Sequence, residues 1–118
     1  MKEEDVAKIC HQANKAYCES LGNYSHNDWD KSPDWQKKSA IRGVNFHHDH
    51  PIAPISCAHE EWMREKIETG WKYGPIKNLD KKEHPCMISF HKLSPEQQMK
   101  YYLFRNIVHA INALDFWD

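Results

Sequence analysis

The stretch His59-Glu60-Glu61-Trp62-Met63-Arg64-Glu65-Lys66-Ile67-Glu68-Thr69-Gly70-Trp71-Lys72-Tyr73-Gly74-Pro75 changes periodicity in its middle, and that change decides the fold. Up to Ile67, the groups His59, Trp62, Met63 and Ile67 recur at spacings of three and four, the repeat of one helix face. Gly70 follows as a helix stop that enters left-handed backbone without steric cost. Tyr73-Gly74-Pro75 then reads as a turn. Upstream, Pro51 and Pro54 break the chain, and Ser56 is expected to cap this helix. From Trp71 to Phe90 no helical period survives. Asn78-Leu79-Asp80 is turn-like and Met87-Ile88-Ser89-Phe90 alternates loosely, which predicts a short hairpin or an extended loop. Ser94-Pro95-Glu96-Gln97 opens the next helix, with Gln97 at the capping-box position. That helix is predicted to bury Met99, Tyr102, Leu103, Asn106, Ile107, Ala110, Ile111 and Leu114.

The N-terminal part repeats this plan. Val6, Ile9, Cys10, Ala13, Ala16, Tyr17 and Leu21 mark one face of an amphipathic helix that Gly22 ends. Asn23 to Lys31 has turn formers and no period. Ser32-Pro33-Asp34 supplies a cap, a first-turn proline and a first-turn acid for a helix reaching about Phe46 or His47. His11 precedes Gly22 by the same eleven residues that separate His59 from Gly70, and Ser32-Pro33 matches Ser94-Pro95. Each capped helix carries a late histidine, His47 or His109. The expected fold is mainly α, with about four helices in two pseudo-repeated helical hairpins and a short β-hairpin or extended loop in the second half. One domain, 1–118, divides into an N-terminal helical half, 1–50, and a second half, 51–118; the crevice between them is the natural ligand site.

Bulk properties narrow the function. At 118 residues one core is expected. A net charge of -1 builds no positive field for a nucleic-acid backbone, so no nucleic acid is expected as a partner. Five tryptophans supply a core, while a mean hydropathy of -0.88 requires a polar surface. No apolar run approaches bilayer length, so no membrane partner is expected. The charged start, Met1 to Asp5, leaves no room for a signal peptide, and a cytoplasmic location is expected. Cys10, Cys18, Cys57 and Cys86 match neither a zinc knuckle nor a disulfide scaffold, and reduced, mostly buried thiols are expected.

Trp62, Arg64, Lys66, Trp71, Tyr73, Lys77, Lys82 and His84 bring flat aromatic faces and cations into one short stretch, the equipment for stacking a base and neutralising phosphate. The competing reading places the tryptophans in the core, makes Tyr73-Gly74-Pro75 a structural turn and leaves the lysines solvated. Phe46-His47-His48-Asp49-His50, with Cys57 and His59, offers imidazole and thiolate but fits no zinc spacing, so neither metal nor other cofactor is expected. A helix end with imidazoles near its last carbonyls accounts for it. Cys86 after His84-Pro85 would need a converging base and oxyanion donors to act as a nucleophile. His11 and His59 could serve as an acid and base pair. No phosphate loop or nucleophile elbow is present, and no enzyme activity is expected. Trp29, Phe116 and Trp117 are candidate docking aromatics for a partner or a second copy, which would make a homo-oligomer.

The run 59–75 resembles the signature of the ryanodine receptor repeat (RyR) domain family: a helix opening with His-Glu, a Trp, a charged face, then Gly-Trp, Tyr-Gly and a proline turn. The resemblance continues through Lys82-Glu83-His84-Pro85-Cys86-Met87-Ile88-Ser89-Phe90 and Leu93-Ser94-Pro95-Glu96-Gln97-Gln98. Trp35 to Val44 is similar to the extension of stand-alone bacterial and phage members. The resemblance implies a mainly helical fold whose halves pack face to face around a short hairpin. It also implies a sensor or sequestering domain for an adenine nucleotide or a nucleotide-derived signal; a protein-interaction or assembly module and an enzyme acting on a signalling nucleotide are the alternative readings.

Overall fold

The computed structural model describes residues 1–114, so Phe116 and Trp117 lie outside the described residues. Four helices carry the fold: α1 (Glu3–Ser20), α2 (Asp34–Asp49), α3 (Ile55–Glu68) and α4 (Pro95–Ala113). Single-turn 3-10 helices at Trp29–Lys31 and Phe90–Lys92 precede α2 and α4. The mainly α architecture is as the sequence predicts. α1 opens with Glu3, Glu4 and Asp5 in its first turn, where the helix dipole favours negative charge. α4 opens as expected, its Ser94 hydroxyl accepting the Gln97 N–H at 3.2 Å. The other two starts differ from expectation: Pro33 and Pro54, not Ser32 and Ser56, hold the cap positions, without side-chain cap bonds. Ser32 is drawn instead into the preceding loop, where its hydroxyl donates to the Asp28 carbonyl at 3.1 Å.

Val6, Ala7 and Cys10 of α1, Trp29, Val44 of α2, and Val108 and Ile111 of α4 form the core. Trp29 is 4% exposed and therefore a core residue, which corrects its reading as a docking aromatic. The inward stripe of α4 also differs from the predicted one. Ile107 and Ile111 pack in the core as predicted, but Phe104 and Val108 join them there, while Met99, Tyr102 and Leu114 are exposed, as are Asn106 and Ala110. A long helix with apolar residues on adjacent faces offers two stripes at helical spacing, and the partner helices choose between them. α3 shows the same shift, with Lys66 turned inward and Ile67 outward. All four cysteines are free, Cys10 and Cys18 buried and Cys57 and Cys86 partly so.

The segment after α3 is an extended loop rather than an antiparallel hairpin. Its two-residue strands β1 (Lys72–Tyr73) and β2 (Glu83–His84) pair in parallel, with Lys72 opposite Glu83. The chain between them folds back through an antiparallel bridge from Asn78 to Glu83. Gly74 makes this possible, since a Cβ there would stand 2.5 Å from the Glu83 Cβ. Gly74→Ala is expected to separate the strands and cost about 1–3 kcal/mol, the range for overpacking a filled site. Thermal melting monitored by circular dichroism checks this.

The halves repeat in atomic detail. α1 and α3 both end at a glycine of positive φ, +87° at Gly22 and +90° at Gly70. The next amide returns to the helix in both, Asn23 N–H to the Cys18 carbonyl and Trp71 N–H to the Lys66 carbonyl, each at 2.9 Å. Nε2 of His11 bonds the Asn27 carbonyl at 2.7 Å, and Nε2 of His59 bonds the Ile88 carbonyl at 2.6 Å. Each carbonyl lies two residues before its 3-10 helix, whose first ring, Trp29 or Phe90, packs on that histidine. These elements place Ser32-Pro33 opposite Leu93-Ser94, one residue from the match read in the sequence. His47 is thereby equivalent to Val108 rather than to His109.

Candidate functional site

Between the two halves lies a cavity of about 420 Å³, walled by all four helices and by the loops that follow α1 and α3. Its volume is in the range of small-molecule sites. Of the residues singled out in the sequence, Trp62, Lys66, Trp71, Lys77 and His84 line it. Three do not. Arg64 points outward and pairs with Glu61. Tyr73 is exposed on β1. The Lys82 ammonium donates to the Thr69 carbonyl at 2.8 Å, capping the end of α3.

Lys66 is the centre of the site. α3 turns it inward at 7% exposure. Its ammonium lies 4.7 Å from the ring centroid of Trp35, 5.0 Å from that of Trp71 and 5.8 Å from that of Trp62. Indole faces are electron-rich, so this cage holds a cation by cation–π attraction. Among the described residues, no carboxylate lies within ion-pair distance of Lys66, Lys77 or Lys100, the third lysine of the wall. The two wall glutamates are engaged elsewhere. Arg42 of α2 reaches across to Glu61 at 2.8 Å and Glu65 at 3.8 Å, joining α2 to α3.

The titration shifts follow from this positive, partly desolvated wall. Burial lowers the Lys66 pKa, Glu65 opposes the shift, and Lys77 adds to it. His84 is held down to about 4 by burial first, then by Lys77, Lys66 and Lys100. Its Nδ1 accepts the Cys86 N–H at 3.0 Å, which suits a neutral ring protonated on Nε2. His26 is lowered by burial, then by Lys100 and Lys77, and its buried Nδ1 has no partner among the described residues. Burial raises the Cys86 thiol, and the same two lysines oppose the rise. A protonated thiol whose neighbouring imidazole nitrogen is taken by a backbone amide is poorly equipped as a nucleophile.

His11 and His59 are joined to loop carbonyls in separate halves rather than to each other. Among the described residues, no group of three or more His, Cys, Asp or Glu is placed to hold a metal ion, and no helix is long and apolar enough to cross a membrane. Sequence reasoning missed Trp35, His26 and Lys100 as wall residues. Trp35 carried a signal, since it begins the stretch similar to stand-alone family members, but nothing local joins it to Lys66.

The RyR domain family model matches residues 55–117, more than half of the chain. That span covers α3, the extended loop and α4, and so supplies the Trp62, Lys66 and Trp71 side of the cavity. No solved structure matches.

Proposed function

The chain belongs to the RyR domain family, and from that premise we propose that it is a cytoplasmic, non-enzymatic domain that binds an adenine nucleotide or a nucleotide-derived signal between its halves. One observation carries this reading: the nearly buried Lys66 ammonium is ringed by three indoles and, among the described residues, has no carboxylate partner. A desolvated cation without a counter-ion favours an incoming anion, and the surrounding indoles offer π faces for a base. Lys77 and Lys100 extend the positive wall for further phosphate oxygens. The neutral His84 and the unpartnered His26 Nδ1 add polar atoms that fix orientation.

Thermal-shift titration against mono-, di- and cyclic nucleotides and ADP-ribose tests the proposal, because a ligand that binds only the folded state raises Tm with concentration. Lys66→Met is expected to weaken binding by roughly tenfold to a hundredfold, the equivalent of one lost charge-assisted bond of about 1.5–3 kcal/mol. It should leave the unliganded Tm within a few degrees, since methionine fills the space without a desolvated charge. Trp35, 47% exposed, should behave likewise on truncation to alanine. Trp62 is the poorer probe, because it stacks on His59 at 5.6 Å and its loss would disturb the core. A panel that never shifts the wild-type melt would defeat the proposal.

A further inference from the structure

The internal repeat makes the cavity wall a comparison of equivalent positions. Matching the helix ends and 3-10 helices pairs Asn14 with Trp62, Asn23 with Trp71, Ser39 with Lys100, Ala40 with Tyr101 and Gly43 with Phe104. Every member of these pairs lines the cavity. In each pair the first half supplies a small or amide side chain and the second half an aromatic ring or a cation. Trp35 has no aromatic equivalent in the second half, where Glu96 stands, and it reaches over to Lys66 on the aromatic side. At these matched positions a backbone built as two similar halves presents unlike chemistry, while the first half adds His11, His26, Phe46, His47 and Arg42 elsewhere on the wall, with His11 and Arg42 already bonded to the Asn27 carbonyl and to Glu61.

We infer that the ligand is an unsymmetrical nucleotide with a single base, bound in one orientation. Its base lies on the indole side, and its hydroxyl-bearing sugar faces the amides and hydroxyl of Asn14, Asn23 and Ser39. A twofold-symmetric dinucleotide fits the matched positions poorly. It would place its second base against Asn14, Asn23 and Ser39, which give that base neither π faces nor counter-charge. This inference rests on the nucleotide reading above and specifies its ligand class.

Gln36 and Gln97, the pair that remains alike, give an internal test. Both line the cavity at the same position in the first turn of α2 and α4. Calorimetric titration of the wild-type protein would compare AMP, ADP and ADP-ribose with diadenosine diphosphate and cyclic di-AMP, together with the guanine counterparts. The expected result is a single-base compound binding one to one and at least tenfold tighter than either symmetric compound. For that compound, Gln36→Ala and Gln97→Ala should change affinity unequally, by a factor of five or more, since they meet different ends of the ligand. A symmetric compound that binds as tightly, or equal losses from the two glutamine variants, overturns the inference and leaves the nucleotide reading standing. No binding by any compound overturns the nucleotide reading and the inference with it.

Discussion

His59→Leu is expected to remove about 2–6 kcal/mol of stability, the sum over two hydrogen-bond partners left unpaired, and to lower Tm by roughly 10 °C or more. The ring is fully buried and bonded at both nitrogens, to the Ile88 carbonyl at 2.6 Å and the Tyr101 hydroxyl at 2.7 Å. A carbonyl only accepts, so Nε2 carries the proton. Burial lowers the His59 pKa and keeps the ring neutral, so Nδ1 is the acceptor and the Tyr101 hydroxyl donates to it. Leucine fills much of the volume but leaves both partly buried partners unpaired, at up to about 1–3 kcal/mol each. It also removes the ring that packs on Trp62, Phe90 and Tyr101. With a total stability of about 5–15 kcal/mol for domains of this class, such a loss is a large fraction. Tyr101→Phe strands only Nδ1 and should cost about 1–3 kcal/mol. Chemical denaturation followed by circular dichroism separates the three proteins. A His59→Leu variant within about 1 kcal/mol of wild type would show that the ring merely fills space.

The sequence read punctuation better than faces. Gly22, Gly70, Ser94 and the prolines act through local backbone geometry, which a few adjacent residues determine, and the helix boundaries they predict hold to within a residue or two. Which stripe of a helix turns inward depends on residues that arrive from far along the chain. Ile67 is the more apolar neighbour and was expected inside. Lys66 lies inward instead because Trp35, Trp62 and Trp71 converge there and their rings tolerate its ammonium. Trp35 is distant in sequence from Lys66 and becomes part of the site only when α2 packs beside α3. The same limitation explains the eight candidate site residues. Five share the cavity because α3 and the extended loop are contiguous, whereas the outward Arg64, the β1 residue Tyr73 and the cap Lys82 differ from them only in direction.

Acidification is the second large expected effect, and its sign follows from histidines kept neutral by burial. His47 is 4% exposed, and its pKa is lowered to about 4 by burial first, then by His109 and Arg105. His84 is lowered to a similar value, and His26 and His59 are lowered as well. In the unfolded chain each imidazole binds a proton with a pKa near 6.5, so below that pH the unfolded state takes up protons that the folded state refuses. Their neutral-state stabilisation is fully present above about pH 6.5 and is lost progressively as pH falls towards about 4. At 1.36 kcal/mol per pH unit of difference, His47 alone accounts for about 3 kcal/mol over that window. The partly buried His84 adds to it, and protonating it would place another cation beside Lys66, Lys77 and Lys100. Tm measured from pH 7.5 down to 4.5 should therefore fall by well over 10 °C, most steeply below pH 6. His47→Met, which removes one titrating group from the core, should flatten the descent without changing the neutral-pH fold. A Tm that stays level across the window would mean that these histidines are as free to protonate in the folded domain as in the unfolded chain, and that the cavity wall is wetter than its packing implies.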